Sequence, residues 1–179
     1  MMTDIPNNLH FVEGDVLDSD QEIVVQQCNC VSTKGHGLSR HIALRFPYAD
    51  PYVSRRRMQH AMNLAVPEDR PQPGTIAIYG NNDLGQRKIV CAFAQFGMGT
   101  SGSYNNADFR LGEDTAAMRH RWFEECLDRV ADLAPRSVAF PYKIGCGMAG
   151  GDWQGHYLPA IRRFADRLPD MNVFVIRRR

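Results

Sequence analysis

Four glycines fall within seven residues at Gly145, Gly147, Gly150 and Gly151, and a few polar side chains elsewhere could act beside them: Asn29, Lys34, His36 and Asp152. Bare glycine backbone can close around an anion, because N–H groups with no side chain in the way point at it directly. The run leaves a short apolar stretch, Val138-Ala139-Phe140, and ends at Asp152 before Trp153. Strand, glycine loop and helix start in that order place a phosphate at the positive end of a helix. Asp152 reads first as the N-cap of that helix and second as an acid–base group. Histidine titrates near neutrality, so His36 is the natural proton carrier of the set, and Lys34 could hold negative charge on a phosphate.

Gly145-Cys146-Gly147-Met148-Ala149-Gly150 also fits the spacing G-x-G-x-x-G. That fingerprint belongs to the first unit of a doubly wound sheet, with an acid after the next strand. Here a single further strand, Asn172–Ile176, follows, and Asp170 precedes it. The dinucleotide reading is therefore rejected, and the anion-cradling loop is retained.

The elements that must position these residues read as follows. Leu9–Val12 and Ile23–Val25 are strands, the second running on into Gln26-Gln27-Cys28-Asn29-Cys30. A loop with Lys34, Gly35, His36 and Gly37 leads into a helix over Leu38–Phe46, stopped by Pro47. Arg55-Arg56-Arg57 reads as part of a second, solvated helix. Val66–Gly74, with three prolines, is a loop; Thr75–Tyr79 and Lys88–Phe93 are strands whose short connection favours antiparallel pairing. Gly97–Asp114 is long enough for a lid, binding loop or plain surface excursion. Thr115–Leu133 is the clearest helix, with Met118, Trp122, Cys126 or Leu127, and Val130 on one face. Pro159 requires the last helix to start near Tyr157 or to kink. The sum is an α/β fold: a mixed sheet with helices on both faces, three layers α/β/α, as a single domain over 1–179. In such sheets ligands sit beyond the carboxyl ends of strands, so the Asn29–Gly37 and Gly145–Gly151 loops should converge on one crevice.

Composition narrows the function. Net charge is +1 over 179 residues, with 18 Arg and three Lys, which gives no bulk reason to bind nucleic acid. Five scattered cysteines without framework spacing read as free thiols in a reducing, cytoplasmic setting. No metal site is completed, no cofactor is implied, and no membrane span is present; a monomer is expected.

Taken together, the segments resemble the macrodomain family, an ADP-ribose-binding fold. The resemblance rests on Gly14-Asp15-Val16, on Cys28-Asn29-Cys30 with Lys34-Gly35-His36-Gly37-Leu38, and on Ile144-Gly145-Cys146-Gly147. It is nearest the terminal ADP-ribose glycohydrolase and ADP-ribose 1″-phosphate phosphatase branch. It implies that Asp15, beside Val16, accepts from the adenine amino group, and that Asn29 bonds the distal ribose hydroxyls. Gly35 and Gly37, at the start of the Leu38 helix, would let the backbone approach that ribose and the diphosphate. Gly145, Cys146, Gly147 and Met148 would present N–H groups to the phosphates. The glycohydrolases of this branch use a lysine and an aspartate that correspond by position to Ala94 or Gln95 and to Ala149, so their covalent mechanism does not carry over. Three functions follow: hydrolysis of an ADP-ribosyl adduct or of ADP-ribose 1″-phosphate, with His36, Asn29, Asp152 and Lys34 as the catalytic candidates; a non-catalytic ADP-ribose reader; or another nucleotide- or RNA-binding domain using Arg55–Arg57.

Overall fold

The computed structural model describes residues 4–102 and 114–179. Six strands form one sheet: β1 (Leu9–Glu13), β2 (Ile23–Asn29), β3 (Ile76–Tyr79), β4 (Lys88–Gln95), β5 (Ser137–Pro141) and β6 (Asn172–Arg177), in the order β1-β6-β5-β2-β4-β3. All neighbours are parallel except β3, which pairs antiparallel with β4. The carboxyl ends of β1, β6, β5, β2 and β4 therefore share one side, and the loops that leave them share it too.

Alternation along each strand sends side chains to two cores. Val25, Val90, Ala92, Val138, Phe140, Val173 and Val175 pack beneath α2 (Ala116–Asp132) and α3 (Leu158–Asp166). Val24, Ile89, Ala139 and Ile176 meet Ile42 of α1 (Leu38–Arg45) on the other face. Burial on both faces is what the near-continuous apolar runs of parallel strands require. The structure is thus the α/β/α sandwich expected.

Two expectations change, and a third is met. The Arg55–Arg57 run is on no helix: α1 ends at Arg45, a single 3-10 turn spans Pro47–Ala49, and the chain then loops back. The isolated bridge Ser32↔Leu64 binds this excursion to the β2 exit, Arg57↔Ala65 closes the excursion on itself, and Arg55 turns inward. Pro159 is accommodated by the first of the two expected routes: the last helix starts near Tyr157, which is its N-cap. A π turn over Trp153–Tyr157 precedes α3, which places Pro159 in the first turn, where its missing N–H costs nothing. Asp152 caps that turn, its Oδ1 accepting from Gly155 N at 2.9 Å. Finally, α2 buries Arg119 among Trp122, Phe123 and Cys126, a charge on a face that reads as apolar. Most of the Gly97–Asp114 stretch, 103–113, lies outside the described residues.

Candidate functional site

A cleft of about 310 Å³ opens at the carboxyl ends of β2, β4 and β5. The two glycine loops wall it on opposite sides, and Asn29, His36, Gly37, Leu38, Gly145, Gly147 and Met148 line it. Gln27, Ser39, Tyr52, Gln95, Met98, Gly99 and Ala149 complete it. Asp15, Val16, Lys34, Gly35, Cys146 and Asp152 are not among the lining residues. A larger polar depression of about 730 Å³ lies at the amino ends of the strands, where Asp20 and Glu22 face Arg87 and Arg136. It has no anion-cradling loop, and its mixed charges neutralise one another.

The first wall is closed by its own hydrogen bonds. Asn29 Oδ1 accepts from Val31 N at 3.0 Å and Ser32 N at 2.8 Å, an Asx turn. Its backbone N–H donates to Tyr52 Oη at 3.1 Å. Because both acceptor sites of Oδ1 are taken, Nδ2, a donor, is the group Asn29 can offer the cleft. Burial pushes the Tyr52 phenol well above its ordinary range, with the Cys28 thiol adding to the shift, so Tyr52 keeps its proton. Gly37 starts α1 at φ 55° with no side-chain cap, which leaves the first turn's N–H groups open beside the cleft.

The second wall is built differently. Cys146 N donates to Lys143 O, Gly150 N to Gly147 O and Gly151 N to Gly145 O, so three of the loop's N–H groups are spent within it. Among the described residues the N–H groups of Gly147, Met148 and Ala149 form no hydrogen bond, and this open row meets the cleft. Cys146, whose N–H the resemblance implies as a phosphate donor, thus has that group already bonded within the loop. Its thiol is pushed up to about 11 by burial, then by Asp152, and stays neutral. The glycines differ in kind. A Cβ on Gly145, at φ 74°, would stand 2.5 Å from the Tyr157 ring, and one on Gly151 would stand 2.5 Å from Gly145 O. A Cβ on Gly147 would meet nothing within 4 Å. Gly145 and Gly151 serve the fold; Gly147 serves the space in front of it.

The floor and the brace behind the second wall were not foreseen. Register runs Gln27↔Ala92 and then Asn29↔Gln95, two residues of β2 against three of β4. This bulge re-aims Gln95 to the side that Gln27 occupies. Gln95 Nε2 donates to Gly97 O at 3.0 Å and Gln27 Nε2 to Gln95 Oε1 at 2.9 Å, which fixes both amides. Arg119, 3% exposed, spends all five donors. Nε and one terminal nitrogen grip Asp114 at 2.7 Å each; the others reach Gly97 O, Gly99 O and Ala149 O. One buried guanidinium thus joins α2, the β4 exit and the glycine loop.

Asp15 stands apart at the end of β1. Its Oδ1 caps a 3-10 turn by accepting from Leu17 N at 2.9 Å, and Arg178 Nε lies 4.0 Å from Oδ2. Val16 is buried under α1. Lys34 is exposed, as is His36, whose ring borders the cleft. Among the described residues no group of three His, Cys, Asp or Glu could hold a metal ion, and no helix is long and apolar enough to cross a membrane.

The sheet order, the two loops and the cleft between them define the macrodomain fold. The macrodomain of Mycobacterium tuberculosis DarG superposes with a TM-score of 0.66 at 19% identity, over 94% of this chain and 96% of that one. The macrodomain of Thermus aquaticus DarG gives 0.61 at 21% identity, over 96% and 97%. An Oceanobacillus iheyensis macrodomain variant with ADPR gives 0.58 at 18% identity, over 99% and 89%. No family model matches the chain, and no curated protein matches it by sequence. The likeness is one of fold.

Proposed function

We propose that this protein binds ADP-ribose in the cleft and hydrolyses an ADP-ribose derivative, either an ADP-ribosyl adduct or ADP-ribose 1″-phosphate. The observation that carries the reading is the pairing of two unlike walls: Gly147–Ala149, whose N–H groups form no hydrogen bond among the described residues, line one cleft together with Asn29, whose Oδ1 is already bonded. Open N–H groups suit a diphosphate, and Nδ2 suits an oxygen lone pair of the distal ribose. The Oceanobacillus iheyensis relative in fold carries ADPR, which supports the ligand class.

Hydrolysis at the distal ribose needs an oriented water and a proton carrier. His36, bordering the cleft beside Gly37, is assigned as general base. Lys34 and Asp152 rank below it, since Lys34 is solvated and Asp152 is engaged as a cap. Asp15, outside the cleft lining and with Arg178 4.0 Å from Oδ2, is assigned to the adenine amino group through that oxygen. The test is a panel of glutamate-, arginine-, serine- and thymidine-linked ADP-ribose and the 1″-phosphate, with calorimetry of ADP-ribose against ADP, AMP and NAD. ADP-ribose should bind most tightly, and His36→Ala should lower turnover by about 10²–10⁴-fold with affinity little changed. Normal turnover in His36→Ala removes it as the base. A second reading, an ADP-ribose reader, is favoured by one observation: the cleft holds Gln95 and Ala149 where the resemblance puts a catalytic lysine and aspartate. Tight binding with no turnover on any panel member would select it.

A further inference from the structure

Arg55 opens the basic run Arg55–Arg57, yet it is 7% exposed. One terminal nitrogen donates to Ser32 O at 2.8 Å and the other to Asn29 O at 3.1 Å. Its guanidinium lies 4.6 Å from the centre of the Tyr52 ring and 5.7 Å from that of Phe93. Among the described residues no carboxylate pairs with it. A buried cation without a counter-charge is costly unless carbonyl dipoles and aromatic faces replace the lost water.

Those two carbonyls are not arbitrary. Asn29 and Ser32 are the first and last residues of the Asx turn that Asn29 Oδ1 closes from inside. Arg55 closes the same turn from behind, and the ring it stacks on carries the hydroxyl that accepts from Asn29 N. The backbone N–H, the backbone oxygen and Oδ1 of Asn29 are all held, which leaves Nδ2 to the cleft. We propose that Arg55 is a positioning residue acting through Asn29: it locks the side-chain amide in its donor orientation and so sets the preference for a ligand that offers an oxygen lone pair there. This deepens the ADP-ribose reading and rests on it for the identity of the ligand.

The test is a double-mutant cycle on the full chain. ADP-ribose and ADP, which lacks the distal ribose, are titrated into the native protein, Asn29→Ala, Arg55→Met, Arg55→Lys and the Asn29→Ala/Arg55→Met pair. Each single change to Asn29 or Arg55 should lower the ADP-ribose-over-ADP preference by about tenfold, and the pair should lose no more than either alone. Arg56→Ala and Arg57→Ala should leave the preference unchanged. Additive losses of about a hundredfold in the pair, or an unchanged preference in Arg55→Met, overturn the proposal. Arg55→Lys keeps the cycle informative if the methionine variant does not fold. The Asn29 side-chain amide signals in nitrogen-15 NMR of the ligand-free protein separate the two readings. A shift of that pair alone in Arg55→Lys supports positioning even if ADP-ribose fails to bind, and no shift overturns it.

Discussion

The two walls of the cleft do the same job by opposite means. The first, around Asn29, satisfies nearly all its polar groups internally and presents one side-chain donor. The second, Gly145–Ala149, leaves three backbone donors unsatisfied among the described residues and is held from behind by Arg119. A wall saturated with hydrogen bonds can fix the orientation of one atom. A wall left open can accept an anion, whose several oxygens need several donors. The braces differ as well: Arg119 is paired with Asp114, whereas Arg55 rests on carbonyls and rings.

That contrast can be broken experimentally. Arg119→Met strands Asp114 as a buried charge, and chemical denaturation should show a loss of about 3–5 kcal/mol. A loss no larger than that of Arg55→Lys would erase the distinction between the braces. Gly147→Val adds a side chain to open space, so the melting temperature should hold while ADP-ribose affinity falls by about a hundredfold or more, near 2.7 kcal/mol. Unchanged affinity in a folded protein would take the ligand away from this wall. Gly151→Ala reverses the pattern: its Cβ meets Gly145 O, so about 1–3 kcal/mol of stability should be lost by overpacking.

The smallest effect concerns pH at the foot of the second wall. His120 of α2 stacks on His156 of the π turn with ring centroids 3.5 Å apart. Burial lowers the His120 pKa and the His156 charge lowers it further, against the opposing pull of Asp152 and Glu124. In the unfolded chain His120 titrates near 6.5, so between the two values the unfolded state binds more protons. Stability is then fully present above about pH 6.5 and declines as pH falls through the lower folded value. The melting temperature should drop from pH 7.5 to pH 5, and His120→Phe should flatten that drop; an equal drop in the variant would place the effect elsewhere.

Much of this was legible in the residues. Short apolar runs in Ile23–Val25, Lys88–Phe93 and Val138–Phe140 named the central strands. The Asn81–Gly85 turn gave the antiparallel pair, and Asp152 announced its cap. Arg55 was illegible because a basic triplet looks solvated until the Tyr52 and Phe93 rings and two carbonyls, supplied by the tertiary fold, surround one member. Arg119 hid in the same way, between Met118 and Trp122 on a helical face whose period says nothing about charge. Gln95 reached the floor through a bulge, and a register shift leaves no mark in one strand's sequence. Which glycine N–H groups would stay open depended on carbonyls within the loop, so Cys146 and Met148 looked alike from spacing alone.

The place of β1 in the sheet has a consequence for how the molecule is made. β1 touches a single strand, β6, with Leu9 opposite Val173. During synthesis β1 therefore leaves the ribosome well before its partner β6 and cannot dock until β6 follows. The β2–β4 floor and the first wall can assemble while translation continues, whereas the Asp15 end is completed last, by the pairing with the longest loop to close. Until β6 follows, β1 waits with Leu9 uncovered, a side chain that is 5% exposed once the strand is docked, and an unpaired strand of this kind is open to aggregation.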